Sequence, residues 1–257
     1  MGLMVVVFAA CGRYGFEVHG GASDSGASDS GASGSGTSDD AQRDGATASP
    51  VSWVKTFVAQ FNSAATLTDT FDGAAAAGDA VVWQAFCGNG VEPSAVTVAA
   101  PGWTFVQIGS ITGSTTSGYW GTSFGAIAPD AASTKVTVTW TAATACANVI
   151  ELGDEFAGVD TSSASSAFDT HAELLSDGNC VTSLTTGAAN EAVWAACTVN
   201  TVTSCGSGYT KSADDGHGDW SEYKLTTDPA HTTEGVMFET ATGTDGYLVT
   251  AVALRPD

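Results

Sequence analysis

Six consecutive residues, Asp214-Asp-Gly-His-Gly-Asp219, carry three carboxylates and one imidazole. Calcium takes about six to eight oxygens on a flexible, glycine-turned loop, so Asp214, Asp215 and Asp219 are candidate calcium ligands. Their spacing differs from that of an EF-hand loop, and a solvated acidic turn is the plainer reading. Glu151-Leu-Gly-Asp-Glu155 supplies three more acids, of which Glu151 and Asp154 could meet a ligand at a strand end. Paired carboxylates also serve glycoside hydrolysis. Gly121-Thr-Ser-Phe-Gly125 matches the G-x-S-x-G turn that exposes a nucleophilic serine. That turn needs a helix behind it, and Ala126-Ile-Ala-Pro129 starts none, so Ser123 is not assigned a catalytic role. No glycine motif for a nucleotide cofactor occurs.

Seven tryptophans are spread along the chain. Trp83, Trp140 and Trp194 sit in apolar alternating runs and belong in a core. Trp103, Trp120 and Trp220 lie beside Gly, Tyr or Asp and are expected to be partly exposed. Such rings, set among acids and hydroxyls, suit the apolar face of a sugar, so these three are candidate ligand-binding residues. Edge-of-core packing is the alternative.

The elements that would hold these groups have a period of two. Lys135-Val-Thr-Val-Thr-Trp140 alternates cleanly, as a half-buried strand does. Strand-like runs recur at 79–86, 103–108, 147–152, 191–199, 220–225, 234–239 and 247–254. Turn signals such as Gly88-Asn-Gly90, Pro101-Gly102, Asp215-Gly216 and Asp245-Gly246 fall between them. Residues 69–77 and 170–176 could each hold a turn or two of helix. The expectation is all-β: a two-sheet antiparallel β-sandwich over residues 51–257.

Acids outnumber bases 28 to 7, for a formal charge of -21. Nucleic acid is excluded as a partner, because it demands Lys and Arg to displace counterions. Residues 51–257 keep 22 of the acids and 5 of the bases, so the acidity belongs to the folded body. Ahead of it, residues 12–50 hold two GASDS repeats and a Gly/Ser run, read as a disordered tether with a reach on the order of 35 Å.

Residues 1–11 form a short apolar segment that ends at Cys11. Phe8-Ala9-Ala10-Cys11 resembles the end of a bacterial lipoprotein signal peptide. The resemblance implies that Cys11 is lipidated and that the protein is exported and anchored to the bacterial outer membrane or cell surface, touching membrane through lipid alone. A plain secretion signal and an apolar tip with a free thiol are the alternatives. Four further motifs, Gly78-Asp-Ala-Val-Val-Trp83, Gly102-Trp-Thr104, Glu155-Phe-Ala-Gly-Val159 and Ala251-Val-Ala-Leu-Arg-Pro256, resemble jelly-roll sandwich modules of secreted bacterial and phage-tail proteins. That resemblance implies the sandwich and, more weakly, surface display or glycan contact. It carries over no catalytic residue.

With Cys11 lipidated, five cysteines remain, and export favours bridges. Cys87 with Cys146, at one end of a sandwich, and Cys197 with Cys205, across a short connection, are the expected pairs. Cys180 with Cys205 is an open alternative. The leading functional expectation is a non-catalytic surface module that binds glycan or another surface component. A glycoside hydrolase or polysaccharide lyase, and a structural coat or fibre subunit, are the others.

Overall fold

The structure is a computed structural model and describes residues 50–257, apart from 89, 116, 131–133, 178, 199–201 and 242–245. Cys11, residues 12–49 of the tether and Asp245 lie outside the described residues.

Among the described residues, seventeen strands and one short helix follow in order: β1 (Ser52–Asn62), β2 (Thr68–Asp72), β3 (Ala80–Gly88), β4 (Ala95–Ala99), β5 (Phe105–Ser114), β6 (Tyr119–Ile127), β7 (Lys135–Thr141), β8 (Asn148–Ala157), α1 (Ala164–Ala167), β9 (Phe168–Asp177), β10 (Val181–Thr185), β11 (Ala192–Thr198), β12 (Val202–Ser204), β13 (Thr210–Asp214), β14 (Trp220–Leu225), β15 (Thr233–Met237), β16 (Glu239–Thr240) and β17 (Gly246–Leu254). Every named pairing is antiparallel. The expected all-β sandwich is present. Residues 69–72 and 170–176 lie in strands and 73–77 in a connection, so neither range is helical. In β2 the side chains alternate, with Asp69 and Phe71 turned inward, and β9 pairs along the length of β17.

The sandwich occurs twice. In the first half a large sheet runs β1-β8-β3-β6-β5 and a small one runs β2-β7-β4. In the second half the large sheet runs β9-β17-β11-β14-β13, the same order strand for strand. Its small sheet is β10-β15 with β12-β16, where only Phe238 separates β15 from β16. Each half is thus an eight-position jelly roll of two sheets.

The four layers stack with the two large sheets face to face. Between the small and large sheets of the first half lie Phe57, Phe71, Trp83, Phe124 and Trp140. The seam between the large sheets holds Val82, Phe156, Phe168, Trp194, Val252 and Leu254, with Phe86, Leu152 and Leu248 at one end. Leu184, Val193, Tyr209, Val236 and Phe238 fill the second half. Strands β3, β8 and β11 are covered on both faces, which is why β3 and β11 read as apolar runs without alternation, while β8 buries Glu151, Asp154 and Glu155 among its apolar residues. Across the seam β1 lies on β13, β5 on β9, β6 on β17, β8 on β14 and β3 on β11. This pattern is its own mirror under exchange of the halves, so a pseudo-two-fold axis passes by β3 and β11, as in an isologous dimer.

One disulfide secures each half. Cys87–Cys146 joins β3 to the start of β8, as expected. The second bridge is Cys180–Cys197, not Cys197–Cys205. Cys197 points from β11 into the second core, where Cys180 is also buried, and their Cα atoms stand 5.9 Å apart, within bridging range. Cys205 is in no disulfide and sits against Glu222. Two disulfides are compatible with an extracellular protein. Among the described residues no helix is long and apolar enough to cross a membrane.

Candidate functional site

The local chemistry that builds a site begins at the turn Ala100-Pro-Gly-Trp103. Gly102 has φ +86°, a left-handed conformation that favours glycine, and the Trp103 amide donates to the Ala100 carbonyl at 3.2 Å. The turn carries the chain from β4, an edge of the small sheet, to β5, an edge of the large one. Trp103 and Phe105 emerge stacked, with centroids 5.5 Å apart and planes 5° from parallel. Trp83 meets Phe105 edge-on from the core at 5.4 Å, and Phe57 supports Trp103, so the pair is braced from below.

Both rings stay partly exposed and line an open hollow of about 670 Å³ together with Pro101, Thr137 and Lys135. Lys135 pairs with Asp72 at 2.8 Å, so its charge is balanced. A second hollow of about 830 Å³ follows the same two strands, between Ser94–Val96 and Gln107–Ile111. Its one carboxylate is Glu92. The arrangement offers aromatic surface, hydroxyls and little net charge, which is a surface for holding a neutral amphipathic chain.

The other two tryptophans are elsewhere. Trp120 is 5% exposed, because β6 is an inner strand and the ring lies over Gly113 of β5. Its expected exposure is therefore corrected. Trp220 opens β14 in the second half, with the Lys211 ammonium 3.4 Å above its ring. Trp103, Trp120 and Trp220 do not share a face.

The three carboxylates of the acidic loop turn to different partners. Asp214 turns to Lys211 at 2.5 Å and accepts from the Gly216 amide. Asp215 Oδ1 accepts from the amides of His217 and Asp219, which closes the turn. Asp219 points inward and is 3% exposed. Among the described residues no group of three His, Cys, Asp or Glu is placed to hold a metal ion.

The remaining candidates are sealed in the body. Ser123 lies in mid-strand β6, fully buried. Glu151 and Asp154 are not at a strand end but within β8, on opposite faces. Glu151 faces the first core, and burial, then the charge of Asp69, hold its carboxyl well above the usual range. Asp154 faces the seam and accepts from Trp53 Nε1, Trp194 Nε1, Ser212 Oγ and Ser221 Oγ at 2.6–3.0 Å. Neither carboxylate lines either of the two hollows, and both side chains are fully buried.

Phe105, Thr137 and Lys135 were not singled out by sequence. The signal that could have found Phe105 is its spacing from Trp103: residues i and i+2 around Thr104 enter a strand on the same side. Comparison with protein-family models, with curated proteins and with solved structures finds no match to this chain.

Proposed function

We propose that this is an exported, lipid-anchored surface protein whose body is a non-catalytic binding module for neutral glycan, held along β4 and β5. The observation that carries the reading is the braced, partly exposed Trp103–Phe105 stack in an open, charge-balanced hollow. Aromatic rings take the apolar face of a sugar while neighbouring hydroxyls meet its polar rim. The burial of Ser123, Glu151 and Asp154 favours binding over hydrolysis.

Retention on a panel of insoluble neutral polysaccharides and calorimetry with matching oligosaccharides test it. Trp103→Ala should weaken binding by about tenfold or more, equivalent to about 1.4 kcal/mol, with the fold intact. A glycan array with no binder, or binding indifferent to Trp103→Ala and Phe105→Ala, overturns the reading. The anchor has its own test: the intact mature protein should carry acyl mass on Cys11.

A further inference from the structure

At one end of the seam, remote in sequence from the β4–β5 hollow, a half-enclosed cavity of about 120 Å³ opens between the halves. The first half supplies Phe61, Phe86, Tyr119 and Asn148, and the second half supplies His217 and Asp219. The rings come as two pairs. Phe61 and His217 stack across the halves at 4.1 Å and 23°, and Phe86 and Tyr119 lie at 5.4 Å and 33°. The Gly88 backbone lets the Tyr119 ring in close: a Cβ there would lie 3.2 Å from it.

We infer that this cavity is a second binding site and that it takes one neutral pyranose ring, the terminal residue of a glycan. This deepens the glycan reading above and rests on it for the ligand class. The volume admits no more than part of one ring, since about 120 Å³ is less than the apolar cavity of about 150 Å³ that holds one benzene, so the rest of the sugar stays in the open mouth. The lining argues for a ring that is apolar on its faces and hydroxylated at its edge. Aromatic pairs border the space, and Asn148, Tyr119 and His217 in its lining carry an amide, a hydroxyl and an imidazole. His217 Nδ1 engages the Asp215 carbonyl at 3.1 Å, which leaves Nε2 to meet a hydroxyl. Charge argues against an acidic sugar. Asp219 forms part of the wall, and the body around it has 22 acids against 5 bases.

The site also has a geometric consequence. Its walls come from both halves, so an occupant presses on the Phe61–His217 contact that spans them.

The test is a titration of the whole protein with glucose, galactose, mannose, N-acetylglucosamine and glucuronic acid. It is followed by calorimetry and by the His217 ring-proton NMR signals. At least one neutral sugar should bind saturably in the millimolar range and shift His217, with glucuronic acid about tenfold weaker. His217→Ala and Asn148→Ala should each weaken that binding by about tenfold. No saturable binding by about 50 mM, or equal binding in His217→Ala, overturns the inference and leaves the β4–β5 reading standing on its polysaccharide assay. Monosaccharide binding lost in Trp103→Ala would place the ring in the β4–β5 hollow and overturn it as well.

Discussion

The indole of Trp194 donates to Asp154 Oδ2 at 2.8 Å across the seam, joining β11 of one sandwich to β8 of the other inside a layer that water does not reach. Ser212 and Ser221 add two more donors from the second half, and Trp53 adds one from the first. Burial raises the Asp154 carboxyl and these bonds lower it, with burial the larger effect. Asp154→Ala leaves several buried donors unmet and should destabilise the body by on the order of 3–5 kcal/mol, with Asp154→Asn costing less. Urea unfolding of the variants measures this. A loss under about 1 kcal/mol for Asp154→Ala would show that the seam does not depend on it.

Small residues on β6 set how closely the halves approach. Gly121 and Gly125 face the seam, and a Cβ at either would fall 2.3 Å from Leu248 or 2.2 Å from the Phe168 ring. Gly125→Ala should therefore cost about 2 kcal/mol or more through overpacking. Ser123, between them, has a buried hydroxyl with no hydrogen-bond partner, so Ser123→Ala should be neutral or slightly stabilising. Thermal unfolding of the two variants separates a packing stripe from a nucleophile turn. Equal effects would contradict this assignment.

Stability should fall as pH rises. Burial is the main cause in each of four shifts: Glu222 is pushed up to about 8, Glu173 and Glu191 to about 7 and Asp79 to about 6. A carboxyl with a folded pKa above its unfolded value is favoured by folding in its protonated form. Its contribution is intact below the ordinary carboxylate range and is lost as pH climbs through about 6 to 8. Asp72, Asp160 and Asp214 shift downward, so their contributions fade only below the ordinary range. The midpoint of denaturant unfolding should be higher at pH 5 than at pH 8, and Glu222→Gln should flatten that slope. A midpoint that rises between those pH values would refute the prediction.

Each disulfide closes a loop within one half, over separations of 59 residues for Cys87–Cys146 and 17 for Cys180–Cys197. Loop entropy assigns about 4 and about 3 kcal/mol to them. Peptide mapping without reductant should recover both pairs, with Cys205 alkylated once the chain is unfolded. Reduction should lower the melting temperature. A Cys197–Cys205 peptide would instead restore the pairing that the sequence favours.

The strands legible in sequence were those with a run of apolar residues or a clean alternation, such as β3, β7, β11 and β17. Strand β6 was hidden because its seam face is Gly121, Ser123 and Gly125, residues that look like a turn when nothing shows what packs on them. The duplication was hidden for a related reason. Ala80-Val-Val-Trp83 and Ala192-Val-Trp194 are short alike stretches, yet Trp83 faces the first core and Trp194 faces the seam. A one-residue slip moves a side chain to the other face, so equivalent strands keep the topology while their sequences drift apart. Glu151 and Asp154 looked like strand-end ligands because sequence alone does not say which acids are covered on both sides. Trp103 was legible because Pro101-Gly102 marks a turn whatever surrounds it.

The four-layer order leaves the two small sheets facing outward in opposite directions. With sheets about 10 Å apart, those outer surfaces stand on the order of 30 Å from one another. Whatever one of them touches, the other is turned away from it.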